Sequence, residues 1–144
     1  MTQLAWLTDI HLNFLRTSAV EVFLDMLAGT AADAFVISGD IAEADDVANH
    51  LLAITEKVKR PVYFVLGNHD FYRGSIAGVR EKVRSLCSGT PNLHWMPEVS
   101  VVPFGEEVCL VGHDGWSDGR LGEHHGSDVM LNDFGLIEEF GGFD

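Results

Sequence analysis

Basic residues are scarce in this chain: 9 Lys+Arg stand against 22 Asp+Glu in 144 residues, a net charge of −13 at pH 7. Such a charge repels phosphate backbones and acidic lipid surfaces, which excludes broad nucleic-acid binding, and any anionic substrate must be drawn in by a local cation such as a bound metal. Cysteine is as sparse. Cys87 and Cys109 are too few and too far apart for a disulfide framework or a thiolate zinc site, and they read as small buried thiols. No apolar run reaches membrane-spanning length. The N-terminus lacks a basic region and meets a charge at Asp9, unlike a signal sequence, so no membrane association and a cytoplasmic location are expected. Internal repeats and low-complexity tracts are also missing. What is present is 47% apolar residues on a chain of single-domain length, 1–144. A chain this long buries about 68% of its unfolded surface, which excludes disorder as the main state.

Short apolar runs alternate with helical patterns. Leu4 to Leu7, Ala34 to Ile37, Val62 to Leu66 and Val108 to Val111 are continuous, partly β-branched and bounded by Gly, Asp or Pro. Such runs predict strands buried on both faces of a sheet. Between the first two, Ser18 and Glu21 form a capping-box pattern, and Val20, Phe23, Leu24 and Leu27 follow at helical spacing up to Gly29. Val47, Leu51, Ile54 and Val58 predict a second helix, with Lys57, Lys59 and Arg60 favouring its end before Pro61. A third starts at Ser75 and uses Ile76, Val79, Val83 and Leu86. Strand, helix, strand at this spacing predicts right-handed βαβ units and a mainly parallel sheet. From Asn92 the pattern shortens to Leu93–Met96 and Val99–Val102, read as an antiparallel or mixed edge. The segment 121–144 is an acidic, glycine-containing tail with six acids and no Lys or Arg, and it carries one weak helix, Val129 to Phe140.

The informative polar residues stand at strand ends. The first strand runs into Thr8-Asp9-Ile10-His11, the second into Gly39-Asp40-Ile41-Ala42-Glu43, and the third into Gly67-Asn68-His69-Asp70. In a parallel sheet the carboxyl ends share one edge, where ligands bind, so Asp9, His11, Asp40, Asn68 and His69 are expected to converge. Oxygen donors mixed with imidazole suit Mn, Fe or Zn, and a carboxylate on the middle strand can bridge two ions. Two ions about 3.5–4 Å apart bind phosphate, activate a water and stabilise in-line displacement. Gly39 and Gly67 precede the ligand residues, where a side chain would obstruct a sharp turn or a substrate.

With Asp-x-His, Gly-Asp-x-x-Glu and Gly-Asn-His-Asp in this order, the chain resembles the calcineurin-like metallophosphoesterase family. The match spans Leu4 to Tyr72, and Gly112-His113-Asp114-Gly115-Trp116 looks like a segment of some bacterial members. The resemblance implies an α/β fold, a layered sandwich in which two sheets are flanked by helices. It implies two divalent metal ions, with Asp9 and His11 on the first, Asp40 bridging and Asn68 on the second. It makes His69 the residue that contacts phosphate and protonates the leaving oxygen, with Asp70 orienting it. The family pattern continues with a further ligand histidine and a Gly-His-x-His motif, and neither is found here. Three imidazoles are therefore missing, the second sheet is expected to be incomplete, and metal occupancy is expected to be partial or absent.

His113, after a buried run, and Arg73 are the candidate substrate-binding residues, with Arg120 a further phosphate clamp. Glu43 reads as a helix-start acid, His50, His124 and His125 as solvated side chains, and His94 as a half-buried strand residue. The leading function is a metal-dependent phosphoesterase acting on a phosphate ester. The alternative is a truncated or degenerate domain with weak metal binding and little catalysis. A receiver-type signalling domain fails for want of an acidic pair after the first strand and a Lys after a late one. An unfinished second sheet leaves apolar surface and an open edge, so a homo-oligomer is expected, with 121–144 near the contact.

Overall fold

The computed structural model describes residues 2–115, 123 and 126–141. Four strands, β1 (Leu4–Leu7), β2 (Ala34–Ser38), β3 (Val62–Val65) and β4 (Leu93–Trp95), form one parallel sheet in the order β1-β2-β3-β4. They alternate with helices α1 (Thr17–Ala28), α2 (Val47–Val58) and α3 (Ile76–Gly89). Right-handed crossovers that always step to the next strand put all three helices on one face. Burial follows that arrangement. In the register, Ala5, Phe35, Val62 and Leu93 form one row, and Leu7, Ile37, Phe64 and Trp95 another. Most of these are buried. The intervening row, Trp6, Val36, Tyr63 and His94, is half-buried at best, and Trp6 is 73% exposed. The first strand is therefore not covered on both faces, because it lies at the sheet edge with helices on one side only.

The helices form where the apolar spacing placed them. In α2, Val47, Leu51, Ile54 and Val58 all turn into the core, and Lys59 ends the helix in the left-handed region at φ 52°. Ser75 caps α3, its hydroxyl accepting from the Gly78 amide at 3.0 Å. The capping box at Ser18 does not form. The helix begins two residues earlier than a Ser18 cap would set it, so Ser18 lies inside its first turn and Arg16 occupies the cap position without a side-chain hydrogen bond.

Sequence expectations fail most after Asn92. Leu93–Trp95 joins the parallel sheet as its last strand, and a 3-10 turn around Pro97 follows. The run at Val108 is not a buried parallel strand. Only three residues long as a strand, it is β6 (Val108–Leu110), which pairs antiparallel with β5 (Val102–Phe104) around Gly105 at φ 79°. Val108 and Cys109 are exposed there, and Cys87 is half-buried, so neither thiol is fully enclosed as expected. The protein is thus a mixed α/β fold with a four-stranded parallel sheet and, among the described residues, a two-stranded second sheet. The weak helix of the tail shrinks to one turn, α4 (Asp133–Leu136), with Gly135 inside it. Its surroundings dock on the domain: Gly74 and Ile137 form a β-bridge, and Glu139 accepts from the amides of Ile76 and Ala77 at the start of α3.

Arg60 holds the first two βα units together. Its guanidinium donates to the carbonyls of Leu27, Ala28, Thr30 and Ala32 at 2.6–3.3 Å and lies 5.0 Å over the Phe35 ring. The cation expected to close α2 does so, its Nε donating to the Val58 carbonyl at 3.1 Å, and it also closes α1, whose last carbonyls carry the negative end of the helix dipole. Arg60→Ala leaves these partly buried carbonyls without donors, and a loss of about 2–3 kcal/mol is expected in urea unfolding. Arg60→Lys should not restore it, since an ammonium lacks the planar fork. A loss below about 0.5 kcal/mol would show that water replaces the guanidinium.

Candidate metal centre

Past the ends of β1 and β2 the two chains stay hydrogen-bonded to each other. The Asp9 amide donates to the Gly39 carbonyl at 3.3 Å, His11 to Asp40 at 3.0 Å, and Leu12 to Ile41 at 2.8 Å. To do this, Asp9, His11 and Asp40 all adopt left-handed backbone, at φ 51°, 41° and 52°. Non-glycine residues avoid that region at a cost of about 1 kcal/mol or more each, and such strain gathers at functional sites. Gly39, at φ 87°, and Gly67 let the second and third loops touch backbone to backbone. A Cβ on Gly39 would stand 2.7 Å from the Gly67 nitrogen, and one on Gly67 would overlap the Asp40 carboxylate.

Asp70 ties this arrangement together. It is fully buried, and its Oδ1 accepts from the Ile41 and Ala42 amides at 2.8 and 2.9 Å while Oδ2 accepts from Gly67 at 2.9 Å. Burial pushes its pKa up to about 6 against the opposing pull of the three amides, and the nearby Asp40 charge adds to the rise. The carboxylate thus serves the backbone of two loops and not, as the resemblance implied, the ring of His69.

The side chains of His11, Asp40 and His69 converge, with one donor atom from each within 4.8 Å of the others. The two rings meet edge-on at 4.7 Å, His69 stacks on Tyr72 at 4.3 Å, and the His69 amide donates to Asp40 Oδ1 at 3.1 Å. The Nδ1 atoms of both histidines are buried without a hydrogen-bond partner. A carboxylate and an imidazole, with a second imidazole beside them and buried nitrogens left unsatisfied, suit a divalent transition ion.

Asp9, expected to join them, is not part of this group. Asp9 is exposed, its carboxylate accepting from the Thr8 hydroxyl. Asn68 is half-buried and faces the tail: its Nδ2 donates to Asp133 Oδ1 at 2.7 Å and to the Tyr72 hydroxyl at 3.1 Å. Arg73, left-handed at φ 64°, keeps an exposed guanidinium 3.3 Å from Glu43. His113 is exposed, whereas its neighbour Asp114 is buried and accepts from the Leu66 amide at 2.9 Å and Trp95 Nε1 at 3.1 Å. His94 is half-buried as expected, stacked on Tyr63. His50 is half-buried rather than solvated, and that burial lowers its pKa against the pull of Asp46. Arg120, Trp116, His124 and His125 lie outside the described residues.

Sequence reading missed Asp114 and Asp133. Gly112 packs against Met96 and Val65, which brings Asp114 to the end of β3. The apolar residues Leu136, Ile137 and Phe140 signal that the tail packs down, and an acid among them was the available clue to Asp133.

The model of the calcineurin-like phosphoesterase family matches residues 2–140. The chain belongs to that family. It is 31% identical to the UDP-2,3-diacylglucosamine hydrolase of Shewanella loihica over 114 residues, covering 72% of this chain and 47% of that protein. The same enzyme of Blochmanniella floridana is 31% identical over 123 residues, 76% of this chain and 46% of that protein. Among solved structures, the phosphopantetheinyl hydrolase of Mycobacterium tuberculosis superposes with a TM-score of 0.66 at 16% identity, over 94% of this chain and 55% of that one. That likeness shows the fold. The chain spans about half the length of the curated relatives it matches.

Asp70→Ala would leave the amides of Ile41, Ala42 and Gly67 without their acceptor. Each buried orphan costs about 1–3 kcal/mol, so a loss of at least about 3 kcal/mol is expected in urea unfolding, together with exposure of the three amides in hydrogen exchange. An unchanged exchange pattern at Ile41 and Ala42 would contradict the role given to Asp70.

Proposed function

We propose that this chain carries the metal-binding half-site of a phosphoesterase that hydrolyses a phosphate ester. The observation that supports it most is the convergence of His11, Asp40 and His69 at the carboxyl edge of the sheet, on strained loops cross-linked by backbone hydrogen bonds. Divalent ions, of which Mn, Fe and Zn suit these donors, supply a nucleophilic water at neutral pH and neutralise phosphoryl charge. Asp9 and His11, on the loop after β1, would hold the first ion, Asp40, on the loop after β2, would bridge, and Asn68 would offer its carboxamide oxygen to a second. His69, steadied by Tyr72, would hold a proton for the leaving oxygen. Arg73 and the exposed His113 would meet the substrate at the rim. In a chain of charge −13, this cationic centre is what draws in an anion.

A second reading has its own support. Among the described residues the converging group of His, Cys, Asp or Glu donors holds three side chains, few for two ions. On that reading the domain binds metal weakly and turns over little. A cytoplasmic setting and a homo-oligomer with 121–144 near the contact belong to the same proposal.

Hydrolysis of an aryl phosphate, assayed with millimolar Mn²⁺, separates the two readings. Weak turnover is expected, abolished by Asp40→Ala and reduced about 10²–10⁴-fold by His69→Ala. Turnover that survives Asp40→Ala would place the chemistry elsewhere, and none in the parent chain would favour the non-catalytic reading.

A further inference from the structure

Among the proposed ligands, Asn68 has a peculiarity of chemistry. One end of its carboxamide, Oδ1, can bind a cation and the other, the NH₂ group, cannot, and half a turn about the last bond exchanges them. The tail removes this ambiguity. Asp133 is 4% exposed, and an ionised carboxylate offers acceptors only, so its contact at 2.7 Å must be with the NH₂ end. The Tyr72 hydroxyl takes Nδ2 from a second side at 3.1 Å. With the nitrogen held by both partners, Oδ1 is directed away from them, and it accepts no hydrogen bond from any described residue.

Asp133 is itself firmly placed. Ile137 is buried against the core, the Arg73 amide donates to the Leu136 carbonyl at 2.7 Å, and Glu138 donates to Gly74 at 3.0 Å. No basic side chain pairs with Asp133 among the described residues, so its carboxylate rests on Asn68 and Tyr72.

Resting on the metal-centre reading above, we propose that Asp133 is a positioning residue, which selects the amide orientation that presents Asn68 Oδ1 to a cation and so makes the affinity of the centre depend on docking of the 133–139 segment. Partners of this kind, acting through a ligand, typically change metal affinity about 10–100-fold.

The test is a calorimetric Mn²⁺ titration of the full 144-residue chain, its Asp133→Ala, Asp133→Asn and Asn68→Ala variants, and the double variant. Asp133→Ala should weaken binding about 10–100-fold, and Asp133→Asn, which keeps an acceptor oxygen, should recover part of the loss. In the Asn68→Ala background, Asp133→Ala should add nothing, because a residue acting through Asn68 has no route left. Equal loss in both backgrounds, or no loss at all, would overturn the proposal. Should a variant unfold, its melting curve reveals it, and Asp133→Asn then carries the comparison. Absence of Mn²⁺ binding by the parent overturns the metal centre itself, a different pattern. The side-chain amide resonances of Asn68 in metal-free protein then still decide on the contact: they must shift in Asp133→Ala, and if they do not the clamp is wrong.

Discussion

Everything at the carboxyl edge of the sheet depends on one buried carboxylate. By accepting from Ile41, Ala42 and Gly67 at once, Asp70 fixes the loop after β3 against the loop after β2. The backbone ladder from Asp9 to Leu12 fixes the loop after β1 against the same residues. Three segments far apart in sequence are thereby held as one rigid crevice, and the left-handed residues within it are tolerated because they are constrained from both sides. Rigid placement of this kind is what a metal site needs, since affinity falls when the protein must order its ligands on binding.

How far the sequence revealed this follows from which forces decide each part. The parallel core was legible because β2, β3, α2 and α3 carry period-specific apolar patterns whose burial is decided locally, as Val47, Leu51, Ile54 and Val58 illustrate. The crevice was legible because βαβ topology sends strand ends to a common edge, so residue types at those ends, His11 and Asp40 among them, were sufficient to forecast a meeting. Val108–Leu110 was misplaced because three apolar residues serve a hairpin as well as a buried strand, and only the turn at Gly105 decides. Ser18 misled because helix starts vary by one or two residues, and this one begins at Thr17 without a side-chain cap.

Side-chain roles were less legible than positions. Asp70 looked like a partner for the adjacent ring, yet buried amides with no other acceptor outcompete an imidazole for its oxygens. Asp133 was invisible because its meaning comes from docking of the tail on residues 73–77, a long-range event without a period or motif. The family model matches residues 2–140, a span that takes in the motifs and most of the tail.

The central claim is that the three strand-end loops build one cation site. Anomalous diffraction from crystals soaked in millimolar Mn²⁺ tests it most directly. The account predicts a peak in the crevice bounded by His11, Asp40 and His69, lost in Asp40→Ala crystals. Manganese found only at exposed acids elsewhere, with nothing in the crevice, would contradict it.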